Sequence, residues 1–163
     1  MTAFYRDRVG LTVLESTNDT ILLGDHHTGI IELVEKKKLL HSSPRSAGLF
    51  HNAVVFAARG PLSRAVGEII STSPELYSGT GDHLVSEAFY FNDPEGNGVE
   101  LYYDRPSETW TWENGQIVMD TLYIDPLQYI QTHASEKAAA DKKLGHIHLR
   151  IGDIEQARHF YIE

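Results

Sequence analysis

GHIHLRIGDIEQARHFYIE, residues 145–163, reads as one complete thought about folding. His146 to Ile151 has the composition of a β-strand, Gly152-Asp153 is a turn signal, and Ile154, Ala157, Phe160 and Tyr161 recur at helical spacing. The stretch is therefore a strand followed by the first turns of an amphipathic helix. At the other end, Met1 opens directly into TAFYRDRVGL, which reads as the last turns of a helix with no strand before it. The pairs Phe4-Tyr5 and Phe160-Tyr161 make the C-terminal stretch a copy of what the N-terminus lacks.

Working inward, Leu11 to Glu15, Thr20 to Leu23 and Gly29 to Val34 are short β-like runs separated by Asn18-Asp19 and Gly24-Asp25 turns, which predicts a small antiparallel meander. Lys36 to Lys38 reads as a solvated strand end or loop. The polar connection SSPRSAG, residues 42–48, leads into a strand over Leu49 to Ala57. Pro61 suits the first turn of a helix running to about Ile70, with Leu62, Ala65, Val66, Ile69 and Ile70 on its buried face. A looser extended piece from Leu76 and two strands joined by the turn at Asn92 to Gly98 follow. Residues 49 to about 122 thus spell β-α-β-β-β. Residues 1–34 spell α-β-β-β, and 145–163 supply the missing β-α. This is internal duplication of one supersecondary unit. Between the units, a short helix is expected after Pro126, and the Ala/Lys-rich stretch 134–143 is expected to be a mostly exposed helix acting as a linker.

Composition narrows the partners. The 163 residues are 41% hydrophobic and 23% charged, enough for one ordinary core. A net charge of −9, with no Lys/Arg block interleaved with aromatics, argues against nucleic acid and anionic membrane surfaces and for a small molecule. There is no cysteine, so no thiolate nucleophile or disulfide, which suits a reducing cytoplasmic setting. No signal-peptide pattern opens the sequence and no apolar run is long enough to span a bilayer.

Histidine placement is the functional clue. His51 lies near the start of the first strand of the complete unit and Glu100 in its last well-defined strand. In a half-barrel of such units these strands are neighbours on one concave face, where an imidazole and a carboxylate can share a divalent metal. A second histidine would complete a two-His, one-carboxylate face with open positions, an arrangement suited to non-haem Fe(II).

The stretches GLFHNAVVF, GDHLVSEAFYFNDPEGNGVELYYDRP and LGHIHLRIGDIEQARHFY resemble the catechol 2,3-dioxygenase-like branch of the vicinal oxygen chelate superfamily, which includes glyoxalase I, bleomycin-resistance proteins and extradiol dioxygenases. The resemblance covers nearly the whole chain, and the Asp-Pro-Glu-Gly-Asn-Gly stretch with its following glutamate and Asp-Arg-Pro carries most of it. It implies an α+β fold in which paired β-α-β-β-β modules form a half-open mixed β-barrel, with the C-terminal β-α as the piece that can complete it by exchange. Residues 1–128 would be a glyoxalase/dioxygenase-like domain lacking its first strand, 129–143 a helical linker, and 144–163 the first β-α of a second module. The resemblance further implies His51, Glu100 and His146 as metal ligands, with His148 on the same strand face as an alternative to His146. Members of this type with two domains hold their iron in the C-terminal one. Activity here would therefore require residues 145–163 to fold back, or to cross to a second chain in a swapped homodimer.

On that basis the expected activity is extradiol ring cleavage of a catechol-type substrate by dioxygen, with Fe(II), or Mn(II) as in some relatives. His83 would act as acid/base or stabilise reduced oxygen, and Tyr90 would donate a hydrogen bond to the catecholate. Phe50, Phe89, Phe91, Trp110 and Trp112 are candidate pocket walls. Two rivals differ in chemistry. A glyoxalase-like isomerase or transferase would need a second carboxylate such as Glu32, and a bleomycin-resistance type of binding protein would need no metal.

Overall fold

The computed structural model describes residues 1–40, 43 and 45–163; Ser42 and Pro44 of the expected polar connection lie outside the described residues. A short π-helical segment, Phe4–Arg8, enters an antiparallel meander of β1 (Thr12–Ser16), β2 (Thr20–Asp25) and β3 (Thr28–Val34). Next come β4 (Gly48–Phe56), α1 (Arg59–Thr72), β5 (Tyr77–Asp82), β6 (Ser86–Asn92) and β7 (Gly98–Asp104), the expected β-α-β-β-β unit. A small hairpin, β8 (Trp112–Glu113) and β9 (Gln116–Ile117), leads to α2 (Pro126–His133), β10 (Lys142–Arg150) and α3 (Ile154–Ile162).

The larger sheet runs β10-β4-β7-β6-β5, with β4 and β7 parallel and the other neighbours antiparallel. The fold is α+β with a mixed sheet, and it is not a closed barrel. Alternation along β4 divides its side chains between two environments. Val54 and Phe56 pack with Phe4, Tyr5, Leu62, Val66, Ile69 and Leu101 in the main core, under α1. Ala53 and Val55 turn the other way, onto the concave face with Ala88 and Tyr102.

The C-terminal strand folds back. β10 pairs antiparallel with β4 of the same chain, from Lys142 opposite Phe56 to Arg150 opposite Gly48. Its entry is pinned by Ala57 N–H donating to Asp141 O at 2.9 Å and by Lys142 N–H donating to the Asp25 carboxylate at 2.6 Å. These contacts explain why the helix expected over 134–143 is absent. The helix that forms is α2, started by Pro126 and capped by Asp125, whose carboxylate accepts from the N–H groups of Leu127 and Gln128. Residues 135–141 run without regular structure, and Lys142 and Lys143 belong to β10. An Ala/Lys-rich turn or two with no apolar face to bury does not hold a helix against a strand-pairing alternative.

The duplicated Phe-Tyr pairs have the same local geometry and opposite surroundings. Phe4 and Tyr5 meet edge to face at 5.1 Å and Phe160 and Tyr161 at 4.8 Å. Phe4 is 1% exposed and Phe160 79%.

Candidate metal site

The register of the sheet assembles the site. Across it, His146 is opposite Ala53, Ala53 is beside Glu100, and Glu100 is opposite Tyr90. The next row places His148 opposite His51 and His51 beside Gly98. With the two-residue period of a strand, all of these side chains rise from the concave face.

His51, Glu100 and His146 converge. His51 Nε2 lies 2.9 Å from Glu100 Oε2, His146 Nε2 lies 3.2 Å from the same oxygen, and the two Nε2 atoms are 3.2 Å apart. His51 and Glu100 are buried, 5% and 3% exposed. The donor set suits a divalent cation: imidazole nitrogen with a carboxylate is the combination that borderline metals favour. The spacing suits one too. Donor atoms ~2.1 Å from an ion at angles between a right angle and the tetrahedral angle lie about 3.0–3.4 Å apart. Among the described residues, one other group offers such a set, Asp25, His26 and Asp141; it is mostly exposed, and there His26 and Lys142 N–H bond the two carboxylates.

His148 is not part of the triad. Its ring meets Phe50 at 4.9 Å and His51 at 4.8 Å, edge to face in each case, and burial followed by the neighbouring His51 and His146 lowers its pKa. The register separates what alternation could not: His146 sits in the row of Glu100, His148 one row away.

Beside the triad opens a cavity of about 590 Å³ lined by Phe50, His51, His83, Tyr90, Phe91 and His148, with Ser78, Thr80, Asn92 and Thr121 supplying polar edges. His83 and Tyr90 meet there, His83 Nε2 to Tyr90 Oη at 2.8 Å. Burial, reinforced by the Glu100 carboxylate, raises the Tyr90 pKa above its ordinary value. Tyr102, on the same face, is likewise pushed up to about 12 by burial and then by Asp104 and Glu100.

Other expected residues lie elsewhere. Phe89 is buried in the main core against Tyr129, on the sheet face opposite Tyr90. Trp112 is 58% exposed, and the Trp110 indole N–H donates to Arg105 O; neither lines the cavity. Glu32 does not join the triad, as the glyoxalase-like alternative requires; it lines a separate cavity with Tyr5, Asn52 and Asp93. Conversely, Thr121 and the Asp120 carbonyl reach the site from a segment with no motif of its own. They are carried there by pairing between Asp82 and Leu122, a nonlocal contact that local sequence does not announce.

No family model matches the chain. A catechol-2,3-dioxygenase from Bacillus subtilis (strain 168) is 34% identical over an alignment of 166 positions, gaps included, that takes in 98% of this chain. Over nearly its whole length, then, the chain is similar to a catechol-2,3-dioxygenase. It spans 58% of that dioxygenase's length. Among solved structures, a glyoxalase/bleomycin resistance protein/dioxygenase from Alicyclobacillus acidocaldarius is similar with a TM-score of 0.47 at 14% identity, over 66% of this chain and 83% of that one. A lactoylglutathione lyase from Agrobacterium tumefaciens is similar with a TM-score of 0.46 at 18% identity, over 63% and 81%. Among the described residues, no helix is long and apolar enough to cross a membrane.

Proposed function

We propose that the chain works as an extradiol dioxygenase on a catechol-type diol, with Fe(II), or Mn(II) in its place, held by His51, Glu100 and His146. The observation that carries this reading is the triad of donors at 2.9–3.2 Å opening onto a cavity that contains the His83–Tyr90 pair. When bound, such an ion supplies Lewis acidity toward the diol and a common coordination sphere for diol and dioxygen. The side chains do the rest. Phe50 gives the aromatic ring an apolar wall, Tyr90 and His83 hold a diol hydroxyl, and buried His51 keeps water from the inner side of the site. The glyoxalase-like alternative is disfavoured by the position of Glu32, away from the triad.

The same reading assigns residues 1–128 to the dioxygenase-like domain, 129–143 to a linker and 144–163 to the β-α that completes the site. The absence of cysteine supports a cytoplasmic setting. A homodimer is a natural form, since the β10–β4 pairing seen within the chain can be made between two chains in the same register.

The test is anaerobic reconstitution with Fe(II), followed by catechol and dioxygen. About one iron per chain and a ring-opened semialdehyde product are expected for the wild type, and neither for His146→Ala. Iron bound by both proteins would mean that His146 is no ligand. Iron in neither would leave a small-molecule binding module.

A further inference from the structure

His83 is held from three sides. Its Nδ1 lies 2.9 Å from the backbone carbonyl of Asp120, its Nε2 lies 2.8 Å from Tyr90 Oη, and the Cε1–Nε2 end of its ring packs against Gly81. A carbonyl oxygen can only accept, so the Nδ1 atom carries the hydrogen; in the neutral ring Nε2 then carries none and accepts the phenolic hydrogen of Tyr90. Gly81 makes this placement possible. A Cβ there would stand 2.8 Å from His83 Cε1 and 2.9 Å from Nε2, closer than side-chain atoms tolerate.

The surroundings fix both anchors. Asp82 and Leu122 exchange backbone hydrogen bonds of 2.8 and 2.9 Å, which lays residues 120–124 along the free edge of β5 and delivers the Asp120 carbonyl. Thr80 Oγ1 donates to Ile124 O at 3.0 Å and strengthens that seam. On the other side, the Arg105 guanidinium binds the Asp82 carboxylate at 2.8 Å and Leu84 O at 3.0 Å, so the turn that carries His83 is braced at both ends.

We infer that Gly81 and the Asp120 carbonyl are positioning elements that lock His83 as the Nδ1–H tautomer, which commits the Tyr90 hydrogen to His83 and leaves the Tyr90 oxygen as an acceptor facing the cavity. This rests on the reading that the cavity takes a diol, and it changes the part Tyr90 plays there. Instead of donating to a catecholate oxygen, Tyr90 accepts from a substrate hydroxyl that is still protonated. The site thus selects a diol that keeps one O–H, and Gly81 and the 120–122 segment become specificity-determining although neither carries a reactive group.

The lock is visible without metal or turnover. Two-bond proton–nitrogen correlation spectra of the histidine-labelled, metal-free full chain near pH 9, where imidazoles are neutral, report the tautomer of His83, assigned by its loss in His83→Gln. A single Nδ1–H tautomer is expected in the wild type, and a mixture in Gly81→Ala. On the iron-loaded protein, Gly81→Ala is expected to weaken catechol binding about tenfold, the scale of one hydrogen bond lost, with iron per chain unchanged. An Nε2–H tautomer in the wild type overturns the inference, as does a Gly81→Ala protein with unaltered tautomer and catechol affinity. If Gly81→Ala does not fold, the wild-type spectrum alone decides. An Nδ1–H wild type that cleaves no catechol upholds the lock and removes the dioxygenase reading.

Discussion

Glu100 is the hinge of the site at the scale of single residues, because both histidines address the same carboxylate oxygen. Glu100→Gln keeps the volume and removes the charge. Metal affinity is expected to fall at least about 100-fold, beyond what loss of an outer-shell partner costs, as measured by competition against a chelator of known affinity. Retained affinity would mean that the triad is a structural His-Glu-His cluster. His51 and Glu100 could be paired in the sequence from the strand order of the complete unit, whereas His146 came from the family resemblance; the fold brings the three donor atoms together. His148 was not separable from His146, since both sit on one strand face and only the pairing register tells them apart. Phe89 was misjudged although the rule was available: alternation from Tyr90, which faces the cavity, sends Phe89 to the opposite side of β6. The aromatic character of Trp110 and Trp112 said nothing of place, and their segment turned out to be a peripheral hairpin.

Between elements, the strongest tie is a buried carboxylate. Glu87 on β6, 6% exposed, receives two hydrogen bonds from Arg59 at the start of α1, at 2.8 and 2.7 Å, one from Arg105 after β7 at 3.0 Å, and one from Tyr129 on α2 at 3.0 Å. Burial alone would raise the Glu87 pKa; the hydrogen bonds from Arg59 and Arg105, aided by the Arg59 charge and Tyr129, outweigh it and hold the carboxyl below its ordinary value. A depressed pKa contributes stability that is complete above an ordinary glutamate's range, near pH ~4.3, and is lost as pH falls through the lower folded value. Glu87→Gln is therefore expected to cost about 2 kcal/mol at neutral pH, because Arg59 loses its carboxylate partner and Arg105 keeps only Asp82, and to shrink the acid-side loss of stability in denaturant titrations. An unchanged acid limb would show that Glu87 does not titrate with folding. Tyr129→Phe isolates the α2 end of the network, with an expected loss of about 1 kcal/mol in the same titrations. No local pattern marks Glu87 as anything but a strand glutamate, so this network was invisible before the fold. The linker helix failed for a related reason: propensity over 134–143 was outweighed by the ladder that β10 makes with β4.

For the whole molecule, the paired and the open surfaces both belong to the C-terminal strand and helix. β10 occupies the edge of the larger sheet beside β4, while α3 and the outer side of β10 expose Ile147, Ile151, Ile154, Phe160, Tyr161 and Ile162. An apolar surface of that kind on a strand and helix joined to the body by residues 135–141 favours exchange between chains. Exchange and fold-back make identical sites, so a metal count on the wild type cannot tell them apart. Mixing two defective chains can. His51→Ala and His146→Ala each destroy every site in a homogeneous preparation, whichever route is used. In a swapped heterodimer, the His146→Ala body keeps His51 and Glu100 and receives an intact His146 from the other chain, which restores one of two sites. After the two variants are denatured together and refolded, half of the dimers are mixed, and iron should recover to about a quarter of the wild-type value. Each variant refolded alone should bind almost none. No recovery in the mixture would show that residues 142–150 complete the site only within their own chain, and the exposed face of α3 would then have no part in building it.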